Sequence, residues 1–236
     1  MGKNLYITEK PSVARAYANI LNVTETKEGY MESAEHVITW CFGHLVQMSY
    51  PQAYDEKYNK WDINTLPFLP ESYKYEPMRE TYQQFKIIKN LYHRRDISTL
   101  YFAGDSAREG LYIQMLVRML SGVGDWMDQR IIWIDSQTED EICRGIREAK
   151  PVESYRTKID AGYMRAIEDY AMGINFTRAL TCKFGAKFNA EINFAKYHPI
   201  QVGRVMTCVL GMIVDRENEI TNFKPTDYYK AVATIK

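Results

Sequence analysis

The sequence predicts an α/β fold: a mostly parallel, Rossmann-like sheet, then a mainly helical region, then one further strand. Three observations carry that prediction. Short apolar runs alternate with amphipathic helical stretches up to residue 152, the texture of βαβ units. From 153 to 222 the patterning is helical, with no convincing strand. Residues 223–236 then alternate in hydrophobicity with period two.

In chain order, Asn4–Thr8 (NLYIT) is a buried-strand run, and Pro11 opens a helix on which Val13, Ala14, Tyr17, Ala18 and Leu21 share a face. His36–Cys41 (HVITWC) reads as a strand ending at Gly43. Between Ser49 and Pro77 the chain is rich in Tyr, Pro, Asn and Asp without periodicity, so a long ordered loop is expected. Met78, Tyr82, Phe85, Ile88 and Tyr92 mark a helix, Thr99–Ala103 (TLYFA) a strand, and Leu111, Met115, Leu116, Met119 and Leu120 the next helix. Arg130–Ile134 (RIIWI) and Glu139–Lys150 complete the alternation as strand and helix. Gly162, Gly173, Gly185, Gly203 and Gly211 read as punctuation between helices of the second region. A strand over Pro225–Lys236 cannot stand alone, so its partners are expected in a further domain of a longer protein. The expected domains are therefore 1–152, 153–222 and the first strand of another at 223–236.

Composition excludes several classes. Hydrophobic residues at 46% and charged residues at 25% are globular values. Lys+Arg and Asp+Glu both number 30, so a polyanion partner must be argued from local clustering. No apolar run is long enough to span a membrane, and the start lacks a signal core. The four cysteines stand apart, which excludes a cysteine-rich zinc site and leads to the expectation of a cytoplasmic protein. The chain has no GxGxxG, GxxxxGK[ST] or GxSxG, which argues against a dinucleotide oxidoreductase, a P-loop enzyme or an α/β-hydrolase, so no nucleotide cofactor is expected.

Two constellations could carry chemistry. Glu9 follows the first strand, and Asp105 follows TLYFAG with Glu109 one helical turn on. Ligands of open α/β sheets collect at the carboxyl ends of the strands, and carboxylates gathered there suit Mg²⁺, which keeps its waters and a substrate phosphate. Lys10 and Arg108 beside them could neutralise a phosphodiester. The alternative is that Asp105 and Glu109 only favour a helix N-terminus. The second constellation is Thr177–Cys208, where Arg178, Lys183, Lys187, Lys196 and Arg204 face Glu191 alone, with Phe184, Phe188, Phe194 and Tyr197 interleaved. That pairing of basic and aromatic residues suits single-stranded nucleic acid; the alternative is core aromatics and a solvated basic face. The histidines show no ligand spacing, and His44 reads as a hydrogen-bonded structural residue.

Several of these segments together resemble a known family. Tyr6–Ala14 (YITEKPSVA), Trp40–Leu45 (WCFGHL) and Ala103–Gly110 (AGDSAREG) resemble the Toprim domain of type IA DNA topoisomerases, most closely the bacterial topoisomerase III branch. Ala53-Tyr54-Asp55, Tyr58, Trp61, Leu66-Pro67 and Pro70 fall at the intervals of that branch's long loop. Met172–Thr177 (MGINFT) with Arg178, and Val202–Val205 (VGRV) with Thr207, Leu210 and Gly211, are similar to its helical strand-gripping domain. The resemblance implies a Mg²⁺-dependent enzyme that breaks one DNA strand through a phosphotyrosine link, passes another and reseals. Glu9 would assist proton transfer and metal binding beside the scissile phosphate. Lys10 would contact that phosphate, and Arg108 would orient the cleavage site. Asp105 and Glu109 would join Glu9 in the acidic metal cluster. Arg165, Arg178 and Arg204 would lie in the strand-binding groove, to which the basic stretch adds Lys183 and Lys187.

Two departures qualify the resemblance. Where the family reads Asp-x-Asp-x-Glu-Gly-Glu or a near variant, Ala107 replaces the second aspartate and Leu111 the final acid. None of the 18 tyrosines sits in the nucleophile's motif, so this chain is expected to bind DNA without cleaving it. The rivals are another Toprim enzyme, such as a primase or nuclease, which VGRV and MGINFT oppose, and a degenerate, non-catalytic single-strand binder. Ala107 and Leu111 favour the latter; Glu9 and Lys10 oppose it.

Overall fold

A computed structural model describes residues 2–123, 126–192 and 196–235. Its elements are β1 (Lys3–Thr8), α1 (Pro11–Ile20), β2 (Glu25–Lys27), β3 (Tyr30–Glu32), β4 (His36–Trp40), β5 (Val46–Met48), β6 (Tyr75–Pro77), α2 (Tyr82–Tyr92), β7 (Ile97–Ala103), α3 (Arg108–Ser121), β8 (Asp128–Ile131), α4 (Glu139–Arg147), β9 (Lys150–Pro151), α5 (Arg156–Ile192) and α6 (Arg204–Thr221). The chain divides into two compact units, 1–60 with 69–170, and 61–68 with 171–236.

The first unit is built on a seven-stranded sheet of order β2-β3-β4-β1-β7-β8-β9. Strands β4, β1, β7 and β8 are mutually parallel, as the βαβ reading requires, while β2, β3 and β9 pair antiparallel at the edges. Alternation along the strands divides the core in two. Leu5, Ile7, Leu100 and Phe102 pack on one face with α2, α3 and the first part of α5, through Ile88, Leu116 and Ile159. Tyr6, Ile38 and Ala103 pack on the other with α1 and α4, through Ala14, Tyr17 and Ile142. A fully buried side chain of this size contributes about 1.5–3 kcal/mol.

Several expectations are corrected. The β2–β3 hairpin was not foreseen: TETKEGYME has little alternation, and the turn depends on Gly29, whose φ of +76° other residues adopt at a cost. The expected loop 49–77 contains three 3-10 turns and ends in β6, which pairs with β5. The strand expected to reach Ile134 stops at Ile131, because Ile134 N–H donates to the Ser106 hydroxyl at 2.8 Å instead of a neighbouring strand. The helix expected to reach Lys150 ends at Arg147, and Lys150–Pro151 pairs as β9. Gly162, Gly173 and Gly185 do not punctuate: α5 runs through all three. A Cβ on Gly162 would lie 2.9 Å from the Arg108 carbonyl, and one on Gly185 would strike the Tyr197 hydroxyl, so close approach explains these two but not Gly173, where a Cβ would make only an ordinary contact. Residues 223–235 carry no regular structure and are exposed, because an extended segment becomes a strand only against another strand's backbone groups.

In the second unit, side chains of α5 hold extended backbone segments. Asn175 mimics a β-ladder residue, accepting the Phe68 N–H at 2.6 Å and donating to the Phe68 carbonyl at 2.9 Å. Thr177 and Thr181 hydroxyls accept the N–H groups of Val202 and Ile200, both at 2.9 Å, and Asn189 brackets His198 the same way. α6 buries none of its residues.

Candidate active site

The register of the parallel strands assembles the first unit's acidic edge. Thr8 pairs with Ala103 on one side and Trp40 on the other, so the residues that follow each strand emerge together. These are Glu9-Lys10 after β1, Gly104-Asp105 after β7, and the Cys41–His44 turn after β4. The Thr8 hydroxyl, fully buried, lies 3.1 Å from the Lys10 carbonyl and 3.3 Å from that of Thr39, which fixes the turn carrying Glu9. Gln114, also buried, donates to the Ile7 carbonyl at 2.8 Å and ties α3 to β1.

The edge brings Glu9 and Asp105 together: the Asp105 N–H donates to Glu9 Oε2 at 3.3 Å. Lys10 Nζ stands 3.5 Å from the other oxygen of Glu9. Asp105 does not cap α3. The N-cap is Ala107, in extended conformation with no side-chain cap, and Glu109 lies in the first helical turn. Both α1 and α3 therefore point N-termini without side-chain caps at this edge, where orphan N–H groups and the helix dipole favour an anion. The loop between β7 and α3 folds tightly over the helix, the Ala107 N–H donating to the Asp105 carbonyl at 2.7 Å. Gly110 permits that fold, since a Cβ there would sit 2.3 Å from the Asp105 carbonyl oxygen.

Glu109 is held by His44, which the sequence reads as a hydrogen-bonded residue. His44 Nε2 lies 2.9 Å from Glu109 Oε1, the imidazole N–H donating because an ionised carboxylate only accepts. The His44 ring packs edge-on against Tyr112 at 6.1 Å. Its signal was positional only: it follows a glycine just past a parallel strand. Cys41, beside Glu9, is no nucleophile; burial pushes its thiol up to about 12, and the Glu9 charge adds to that. Arg108 is exposed at the start of α3.

The donor set fits Mg²⁺ in one way only. Among the described residues no three His, Cys, Asp or Glu side chains converge to hold a metal, and Ala107 offers no oxygen where a carboxylate was expected. A half-buried carboxylate, Glu9, beside an exposed one, Asp105, suits an ion that keeps its waters and shares itself with a substrate phosphate, not one caged by protein.

The DNA-binding residues expected from the sequence are placed apart. In the first unit Arg165 is exposed and pairs with Asp169 at 3.7 Å. In the second, Lys183 and Lys187 are exposed one turn apart on α5, Lys183 over the Phe184 ring and Lys187 3.8 Å from Glu191. Arg204 is exposed at the start of α6. Arg178 departs from expectation: it is 2% exposed, with its guanidinium 5.3 Å from the Trp61 ring, because it lies on the face of α5 that carries the 61–68 segment. Phe194 lies outside the described residues.

A parallel sheet with acidic residues after adjacent strands, followed by a helical unit, defines a Toprim-class protein. Residues 4–131 match the Toprim domain family, and residues 153–236 match a family described as DNA topoisomerase. Similar proteins include DNA topoisomerase 3 of Bacillus anthracis, 36% identical over 229 residues that cover 97% of this chain and 30% of the relative. DNA topoisomerase 3 of Staphylococcus aureus (strain MRSA252) is 34% identical over 234 residues, 99% of this chain and 31% of the relative. Full-length topoisomerase I from Thermotoga maritima shares the fold, with a TM-score of 0.59 at 17% identity over 94% of this chain and 31% of that one. The chain belongs to the Toprim family, in the arrangement of the type IA DNA topoisomerases, and it spans about 30% of the length of these relatives. No helix among the described residues is long and apolar enough to cross a membrane.

Proposed function

We propose that this chain supplies the metal- and strand-binding part of a Mg²⁺-dependent type IA DNA topoisomerase, a cytoplasmic enzyme that acts on single-stranded DNA without a nucleotide cofactor. The observation that carries this reading is the strand register that sets Glu9 against Asp105 between the N-termini of α1 and α3. Residues 1–152 form its Toprim domain, 153–222 its helical strand-binding domain, and 223–236 lead into a further β domain.

At the acidic edge Glu9 lies beside the scissile phosphate and handles a proton there. Lys10 and Arg108 neutralise and orient the phosphodiester, as paired cations do for phosphate oxygens. Glu9 and Asp105 would hold Mg²⁺, Glu109 would join them only on leaving His44, and the ion would supply neutralisation of phosphate charge. In the second unit Lys183, Lys187 and Arg204 contact the strand's phosphates and Arg178 lies behind the surface, and in the first unit Arg165 contributes a phosphate contact of its own. No tyrosine here matches the nucleophile's motif, so this chain binds and positions DNA without cleaving it. A second reading, a non-catalytic single-strand binder, is favoured specifically by Ala107 and Leu111.

Titrating a labelled single-stranded oligonucleotide across salt concentrations, with and without Mg²⁺, tests both. Lys183→Ala and Lys187→Ala should each lower the salt slope by about 0.7. Asp105→Ala should abolish any Mg²⁺-dependent tightening. Unchanged slopes would make the lysines a solvated face, and identical Mg²⁺ responses in wild type and Asp105→Ala would leave only the non-catalytic reading.

A further inference from the structure

Trp61 is a flat, partly exposed surface in the second unit that the acidic edge does not use. The residue is 41% exposed, and the guanidinium of the buried Arg178 lies over the ring at 5.3 Å. The ring is also fixed from its backbone. Asp62 caps the 3-10 turn Ile63–Thr65 by accepting the Asn64 N–H at 2.9 Å, and the segment ends at Phe68, buried and clamped by Asn175. A lone exposed aromatic is ordinary on a protein surface. Trp61 differs in that a buried guanidinium covers its ring, and indole is the ring that favours a cation most. Such a cation draws electron density from the ring, and its charge adds a positive potential in a region of low dielectric. Both effects favour an electron-rich flat group joined to an anion.

We propose that Trp61 is a stacking platform for one base of a single-stranded nucleic acid, with Arg178 acting through the indole as its positioning residue. This rests on the strand-binding reading above and names the contact by which the second unit grips a base instead of a phosphate. Stacking on an aromatic face is tolerant of sequence, so any base qualifies.

The test pairs the chain and its Trp61→Ala and Trp61→Phe variants with two probes of equal charge, an oligothymidylate and an abasic strand of the same length. Wild type should favour the thymidine strand. Trp61→Ala should weaken that binding about 5- to 150-fold, the range of one base–aromatic stack, and leave the abasic affinity unchanged. Trp61→Phe, which keeps a ring, should retain most of the thymidine preference. Equal losses on both probes would show that Trp61 only supports the fold and overturn the proposal, as would no loss on either. If wild type binds neither strand, the strand-binding reading fails and takes this one with it. Binding of both strands without dependence on Trp61 sinks the stacking proposal alone.

Discussion

Replacing Glu32 with glutamine tests how the first unit holds its sheet at the end opposite the acidic edge. Glu32, on β3, is 5% exposed and sits among three cations from different elements. Arg94 forks onto it, Nη1 to Oε2 at 3.1 Å and Nη2 to Oε1 at 2.5 Å; Lys3 Nζ reaches Oε1 at 2.5 Å and Lys27 Nζ reaches Oε2 at 3.2 Å. The Arg94 hydrogen bonds, helped by Lys3 and Lys27, hold its carboxyl down to about 2 from an ordinary value of 4.5. A difference of that size caps the contribution at about 3 kcal/mol, since one pKa unit is about 1.4 kcal/mol. The partners are 22% to 37% exposed, so screening brings the expected cost of Glu32→Gln to about 2 kcal/mol at pH 7. The sign with pH follows from the lowered value. Because the folded carboxyl is the stronger acid, the stabilisation is complete above the unfolded pKa and is lost as pH falls from about 5 toward 2. Urea unfolding of wild type and variant at pH 7, 5 and 3.5 should show midpoints that converge on acidification. A gap that stays constant with pH would assign the effect to side-chain shape and refute the electrostatic account.

Three further outcomes are expected. Gly110→Ala places a methyl against the Asp105 carbonyl and should cost about 1–3 kcal/mol by overpacking, with Mg²⁺ affinity falling alongside the thermal midpoint. Asn175→Leu keeps the branched shape but removes the hydrogen bonds to the Phe68 N–H and carbonyl; about 2 kcal/mol of stability should go, and limited proteolysis should cut within 61–68 sooner. Ala107→Asp returns a hard oxygen donor to the acidic edge and should tighten Mg²⁺ binding in calorimetry. An isotherm no different from wild type would show that position 107 does not face the ion.

The parallel core was legible in the sequence because its strands are buried on both faces and read as continuous apolar runs: NLYIT became β1 and TLYFA the end of β7. The edge elements were not. β2 is fully exposed and β9 is two residues long, so neither leaves a hydrophobic pattern; their pairing depends on a turn or on the neighbouring strand's open edge. The glycines of α5 misled for a related reason. A helix tolerates glycine where another chain segment must come close, and no single-sequence pattern separates that from a break.

At the acidic edge, position within the fold was legible and partnership was not. A carboxylate one or two residues past a parallel strand announces its place, so Glu9 after β1 and Asp105 after β7 are legible from the sequence. His44 stands four residues past β4, a lone histidine carries no spacing, and its partner Glu109 lies 65 residues away, so the sequence does not announce the pair. The basic stretch shows the converse. Arg178 counts as a surface cation in any charge tally, yet the fold withdraws it beneath Trp61. Lys187 is half-committed to Glu191 through an exposed pair of little worth. Of the five cations between Thr177 and Cys208, Arg178 is therefore the one the fold withdraws, while Lys183, Lys187, Lys196 and Arg204 stay exposed. A charge count measures how many cations a segment holds; the face of α5 on which each one falls decides whether it meets DNA or holds the protein together.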